Sequence, residues 1–147
     1  MSQISNQVII RELNEPEQMF KAFEIVKLMY KNMDYKTYQD LVSEMIARND
    51  YKMIGAFLDD KLIGASGYWI FVMLYCNRYI QISNLVVDEK YRGLGVGKKI
   101  LDKAEEIGKR SNCQKIVLDS YIQNKKSHSL YFREDYYIRG FHFMKDI

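Results

Sequence analysis

The chain has 147 residues, of which 48 % are apolar and 28 % charged, and its net charge is +3. That length fits one domain, and that composition buries enough apolar surface to exclude an intrinsically disordered chain. One proline and 8 glycines exclude collagen-like or proline-rich architecture, and two cysteines, Cys76 and Cys113, cannot build a disulfide framework or a cysteine zinc site.

In chain order, Met1 to Gln7 is polar and lacks the apolar stretch of a signal peptide. Val8–Leu13 reads as a first strand. Asn14 is expected to open a helix, with Pro16 in its first turn and Glu17 at the capping position. Phe20, Phe23, Ile25, Val26, Leu28, Met29 and Tyr30 give that helix a broad apolar face. The spacing predicts a second helix over Tyr35–Arg48, with Tyr38, Leu41, Val42, Met45 and Ile46 facing inward. Met53–Leu58 and Lys61–Tyr75 read as strands joined by a turn at Asp59-Asp60. Trp69 to Cys76 is the longest apolar run. It falls far short of the ~20 residues that span a bilayer, so no membrane partner is expected. A cytoplasmic protein with reduced thiols is expected instead. Tyr79–Val87 is another strand, Lys98–Arg110 a helix, Lys115–Tyr121 a strand, Asn124–Phe132 a short helix and Ile138–Met144 a last strand. This order implies a mixed α/β fold of one domain over residues 7–147. Its central sheet is mostly antiparallel, with one right-handed parallel crossover, and helices flank it.

The charge is unevenly placed. Residues 89–115 carry 8 Lys/Arg against 4 Asp/Glu, whereas residues 1–88 carry 9 against 11. The positive segment surrounds Gly93, Gly95 and Gly97, which lie between an apolar strand and a helix. Glycine allows close backbone approach, and the first N–H groups of a helix lack internal partners at its positive end. Strand, glycine loop and helix start therefore suit an anion, most plausibly a phosphate. Arg92, Lys98 and Lys99 add charge. A P-loop needs glycine where Arg92 stands and a hydroxyl residue where Lys99 stands. A dinucleotide fingerprint needs a glycine where Lys98 stands. Aliphatic Leu94 and Val96 leave no stacking surface for RNA, and no nucleic-acid partner is expected.

Two spacings stand out: Arg92-x-x-Gly95-x-Gly97 after Leu85-Val86-Val87, and Asn124 followed seven residues later by Tyr131. In both, and in its element order over about residues 7–147, the chain resembles the GNAT superfamily of acyl-CoA-dependent N-acyltransferases. The resemblance implies a GNAT-like fold and acetyl-CoA as cosubstrate. Its pyrophosphate would lie on the amides of Gly93, Leu94, Gly95, Val96, Gly97 and Lys98, beside Arg92. Its pantetheine arm would pair with Leu85, Val86 and Val87, and Asn124 would hold that arm. Tyr131 would protonate the departing thiolate after direct attack by a primary amine. A backbone N–H near Val86 would face the developing oxyanion.

The chain departs from that pattern at the base. Many relatives place a Glu or Asp on the strand before the loop, where this chain has Gln81-Ile82-Ser83-Asn84. Asp119 is the nearest acidic candidate, His142 the other residue suited to neutral pH, and a water relay the third route. Asp135 stands where relatives often have glycine. Cys113 has no sequence-adjacent histidine to activate it. His128 and His142 have no ligand spacing, so no metal is expected. The acceptor is a small-molecule or protein amine. Tyr35, Tyr38, Tyr121, Tyr136 and Tyr137 would line an aromatic slot for it, or pack in the core. Exposed edge strands would pair two copies as a homodimer. The alternative to an enzyme is a non-catalytic acyl-CoA-binding sensor, motivated by the missing carboxylate.

Overall fold

In the computed structural model, which describes residues 7–147, β1 spans Ile9–Leu13 and leads into two short helices, α1 (Pro16–Lys21) and α2 (Phe23–Val26). A longer helix, α3 (Tyr35–Asn49), precedes β2 (Lys52–Leu58), β3 (Lys61–Met73) and β4 (Asn77–Val87). Then come α4 (Val96–Arg110), β5 (Lys115–Leu118) and α5 (Lys125–Arg133). The five strands form one sheet in sequence order, antiparallel except for the parallel pair of β4 and β5 that α4 connects.

Strand alternation sends successive side chains to opposite faces. Met53 therefore joins Met19, Ile25, Val26, Tyr38 and Val42 under α1, α2 and α3. Its neighbour Ile54 joins Ile63, Ile80, Ile100, Ala104 and Ile107 under α4. The turn into β3 uses Asp59 and Asp60, both left-handed, at φ 49° and 62°. Short Asp side chains tolerate that conformation, which fits the turn read at these residues.

One irregularity shapes the rest. β4 and β5 pair only from Tyr79 opposite Lys115 to Ile82 opposite Leu118. β4 then continues to Val87, whereas β5 stops. The β3–β4 register also slips next to Gly67, and Asn84 is left-handed there, at φ 56°. A bulge of this kind bends a strand and strengthens its twist. The sheet is split at this point, and residues 83–87 have no β5 partner along that edge.

Several expectations are corrected. The first helix is capped by Glu15, not Asn14, in a reciprocal arrangement with Gln18, and it breaks at Ala22. Leu41 is exposed, because Tyr38 and Val42 already fill the inward face of α3. β5 ends at Leu118, so Asp119 lies beyond the strand. Ile138–Met144 forms no strand. Side chains link this region to β5 and the residue after it: Lys115 Nζ meets Tyr137 Oη at 3.3 Å, and His142 Nδ1 faces Asp119 Oδ2 at 3.5 Å. Its alternating pattern suits a strand, but strand propensity expresses a fit to neighbours, and the four-residue β5 offers it no ladder.

Candidate active site

The glycine loop begins after a 3-10 turn at Glu89–Tyr91. Gly93 and Gly95 are left-handed, at φ 84° and 72°, and a Cβ on either would meet nothing within 4 Å. The loop thus keeps an open cradle in front of α4. Gly95 is the N-cap and supplies no side chain. The first helical bond runs from the Lys99 amide to the Gly95 carbonyl at 3.1 Å. The amides of Val96, Gly97 and Lys98 therefore have no helical acceptor. Gly97 has another reason to be glycine, since a Cβ there would stand 3.1 Å from Leu130 Cδ2 of α5.

The cations are placed unequally. Arg92 is exposed and 3.6 Å from Glu89. The Lys98 ammonium leans away from the loop, 2.9 Å from Asp102 and 3.4 Å from Glu134. Lys98 can serve an anion here through its amide. Leu94 is exposed at the loop tip, and Val96 is buried against the α4 side of the sheet.

On β4, Val86 and Val87 pair with Ala65 and Gly64 of β3. Their opposite edge, with that of Leu85, faces the split. Asn124 is the N-cap of α5, yet its side chain makes no capping bond. A capping role alone does not account for this asparagine. Ser120 Oγ, in the connection between β5 and α5, is buried without a partner among the described residues. An open cradle, uncapped amides, an unpaired strand edge and an orphaned hydroxyl all fit a long phosphorylated molecule such as acetyl-CoA.

Tyr131 is half-buried on α5, its ring 5.8 Å from that of Tyr136. Burial raises its phenol above the usual value, against a smaller opposing effect of Ser127. The phenol thus keeps its proton at neutral pH and can donate it. Asp119 and His142 do meet, but both are more than half exposed. The two candidate bases form one solvent-facing pair.

Of the five tyrosines expected to line an aromatic slot or pack in the core, four pack against other residues, and Tyr121 is exposed. Tyr38 is buried and donates to the Met19 carbonyl at 2.6 Å. Tyr35 packs on Phe23, Tyr136 on Tyr131, and Tyr137 under Lys115. Sequence reading placed Tyr30 on an apolar helix face, whereas its hydroxyl donates to Asn84 Oδ1, and it did not single out Tyr51, whose phenol burial pushes up to about 12. An asparagine in a left-handed bulge was the available signal for Asn84.

Comparison with known proteins places these features in a family. The acetyltransferase (GNAT) family model matches residues 17–134. An N-acetyltransferase of Bacillus subtilis, YhdJ, is 20 % identical over 122 residues, covering 83 % of this chain and 86 % of that protein. An aminoalkylphosphonate N-acetyltransferase of Salmonella typhimurium is 26 % identical over 123 residues, covering 82 % and 79 %. The aminoglycoside N-acetyltransferase AAC(6')-Iy, solved in complex with CoA, superposes with a TM-score of 0.82 over the whole of both chains at 15 % identity, a likeness of fold alone. Among the described residues, no helix is long and apolar enough to cross a membrane.

Proposed function

This chain belongs to the acetyltransferase (GNAT) family of acetyl-CoA-dependent N-acetyltransferases, and we propose that it acetylates a primary amine by direct attack in the split between β4 and β5. The observation that carries this reading is the open left-handed glycine cradle before α4, set against a strand edge that lacks a partner. Acetyl-CoA supplies an activated acyl group as its thioester. The amides of residues 93–98 and Arg92 hold the pyrophosphate. The free edge of Leu85–Val87 and the uncapped Asn124 side chain hold the pantetheine. A backbone N–H beside Val86 offers a preorganised donor where negative charge develops. Tyr131, kept protonated by burial, delivers a proton to the sulfur.

No carboxylate occupies residues 81–84, so the base is the Asp119–His142 pair or water leading to solvent. Solvent exposure of both residues favours relay to bulk water. The acceptor is a small-molecule amine, consistent with the aminoalkylphosphonate named for the Salmonella protein above. Two copies pair through the β5 edge and the apolar run beside it, where Phe141 and Phe143 are 84 % and 90 % exposed. Acetyl-CoA and a panel of amines, followed by thiol release and by the mass of the acetylated amine, test the activity. Matched release of thiol and acetylated amine is expected. CoA binding without release for any amine would instead favour a sensor.

A further inference from the structure

The polar cluster around Asn84 has no part in holding acetyl-CoA in the reading above, and its construction is unusual. Asn84 adopts a left-handed conformation inside a strand, at the residue where β4 slips against β3. Two tyrosines lie at this bulge. Tyr30, from the segment after α2, donates its hydroxyl to Oδ1. Tyr51, just before β2, lies across Gly67 of the neighbouring strand, the residue that pairs with Ser83 beside Asn84. Gly67 of β3 is the residue that makes this possible, because a Cβ there would overlap the Tyr51 hydroxyl. Tyr51 is buried, whereas Tyr30 is only half-buried. The Tyr30 proton is committed to Asn84, so toward any other group its oxygen can only accept. A neutral amine has N–H groups to give and one lone pair to keep free for attack. A fixed acceptor is therefore the partner that orients it.

A strip of rings leads away from this cluster on the same face of the sheet. Tyr51 meets Trp69 at 5.0 Å between centroids, Trp69 meets Phe71 at 5.7 Å, Phe71 meets Tyr79 at 6.0 Å and Tyr79 meets Tyr75 at 6.4 Å. Trp69 and Phe71 are half-buried, and Tyr75 is exposed. Trp69 Nε1 is a buried donor with no partner among the described residues. A polyamine would ask for several carboxylates spaced along this strip, where only Asp119 stands near Tyr75 and Tyr79 at its far end, and a sugar phosphate would ask for cations. The strip supplies ring faces.

Resting on the transferase reading, we infer that Tyr30, pinned by Asn84, holds the acceptor nitrogen, and that the aromatic strip selects an amine carried on an aromatic body. The test compares 2-phenylethylamine, spermidine and glucosamine 6-phosphate as acceptors for the wild-type chain, for Tyr30→Phe and for Asn84→Gly. Glycine keeps the left-handed backbone while removing the amide. 2-Phenylethylamine is expected to have the highest kcat/KM. Each variant should raise its KM roughly 3–10-fold, the worth of one hydrogen bond, with the KM for acetyl-CoA unchanged and the fold retained at the assay temperature. Preference for either other amine would overturn the aromatic class. An unchanged KM for the amine in both variants, or an equal rise for acetyl-CoA, would overturn the anchor. A wild-type chain that acetylates none of a broad amine panel would remove the transferase reading itself, and this inference with it.

Discussion

At the scale of single residues, Tyr131 separates a protein that catalyses from one that only binds. Its ring packs on Tyr136 and its phenol is pushed above its usual value, chiefly by burial. Tyr131→Phe keeps that packing and removes the proton. A free thiol has a pKa of about 8.5, so the thiolate departs tolerably without help. The expected loss in kcat is therefore near the low end of general-acid effects, about 100-fold at neutral pH. The deficit should shrink above about pH 8.5, where the thiolate needs no proton. The KM for acetyl-CoA should hold. Rate–pH profiles of both proteins check this, provided chemistry limits turnover. Equal turnover of the two at pH 7 would make Tyr131 a packing residue.

At the scale of elements, β1 is tied to α4 by Glu12. Its carboxylate takes two bonds from Arg110, at 2.5 and 3.2 Å, and stands 3.6 Å from Lys103. The Arg110 hydrogen bond outweighs the cost of burial and lowers the Glu12 pKa. The folded chain thus binds that proton less readily than the unfolded one. The contribution is full above about pH 5 and is lost as pH falls through the lowered value. Glu12→Gln should cost about 1 kcal/mol at pH 7 by denaturant titration, with the gap closing toward about pH 3. A second expectation concerns Gly67, where a Cβ would collide with buried Tyr51. Gly67→Ala should cost roughly 1–3 kcal/mol by the same measurement, the usual range for overpacking. The elements also show what was legible beforehand. Ile100, Ala104 and Ile107 sit at helical spacing under the sheet as their pattern required. The glycine loop was legible because glycine, strand and helix start are all local signals. The Tyr30–Asn84–Tyr51 cluster joins residues up to 54 positions apart. Only the β4 bulge brings them together, and no periodicity encodes it. The run Ile138–Met144 failed for the same reason: its pattern was local, and its missing partner was not.

At the scale of the whole molecule, a mixed sheet packed on both faces splits where β5 stops and β4 continues. The two-copy arrangement should appear as a dimer in sedimentation, and Phe143→Asp should shift it to monomer. A wild-type monomer at about 100 μM would remove it. The claim on which the account turns is that the loop before α4 takes the pyrophosphate. Calorimetric titration of CoA into the wild-type chain, Gly95→Ala and Gly95→Glu tests it most directly. Both variants bear the same left-handed strain, of order 1 kcal/mol, and neither side chain meets protein within 4 Å of the Cβ. Only glutamate puts a carboxylate where the phosphates would lie. Binding by the wild-type chain, weaker binding by Gly95→Ala and none by a folded Gly95→Glu is the expected result. CoA bound by folded Gly95→Glu with the affinity of the wild-type chain would contradict the account and place the site elsewhere.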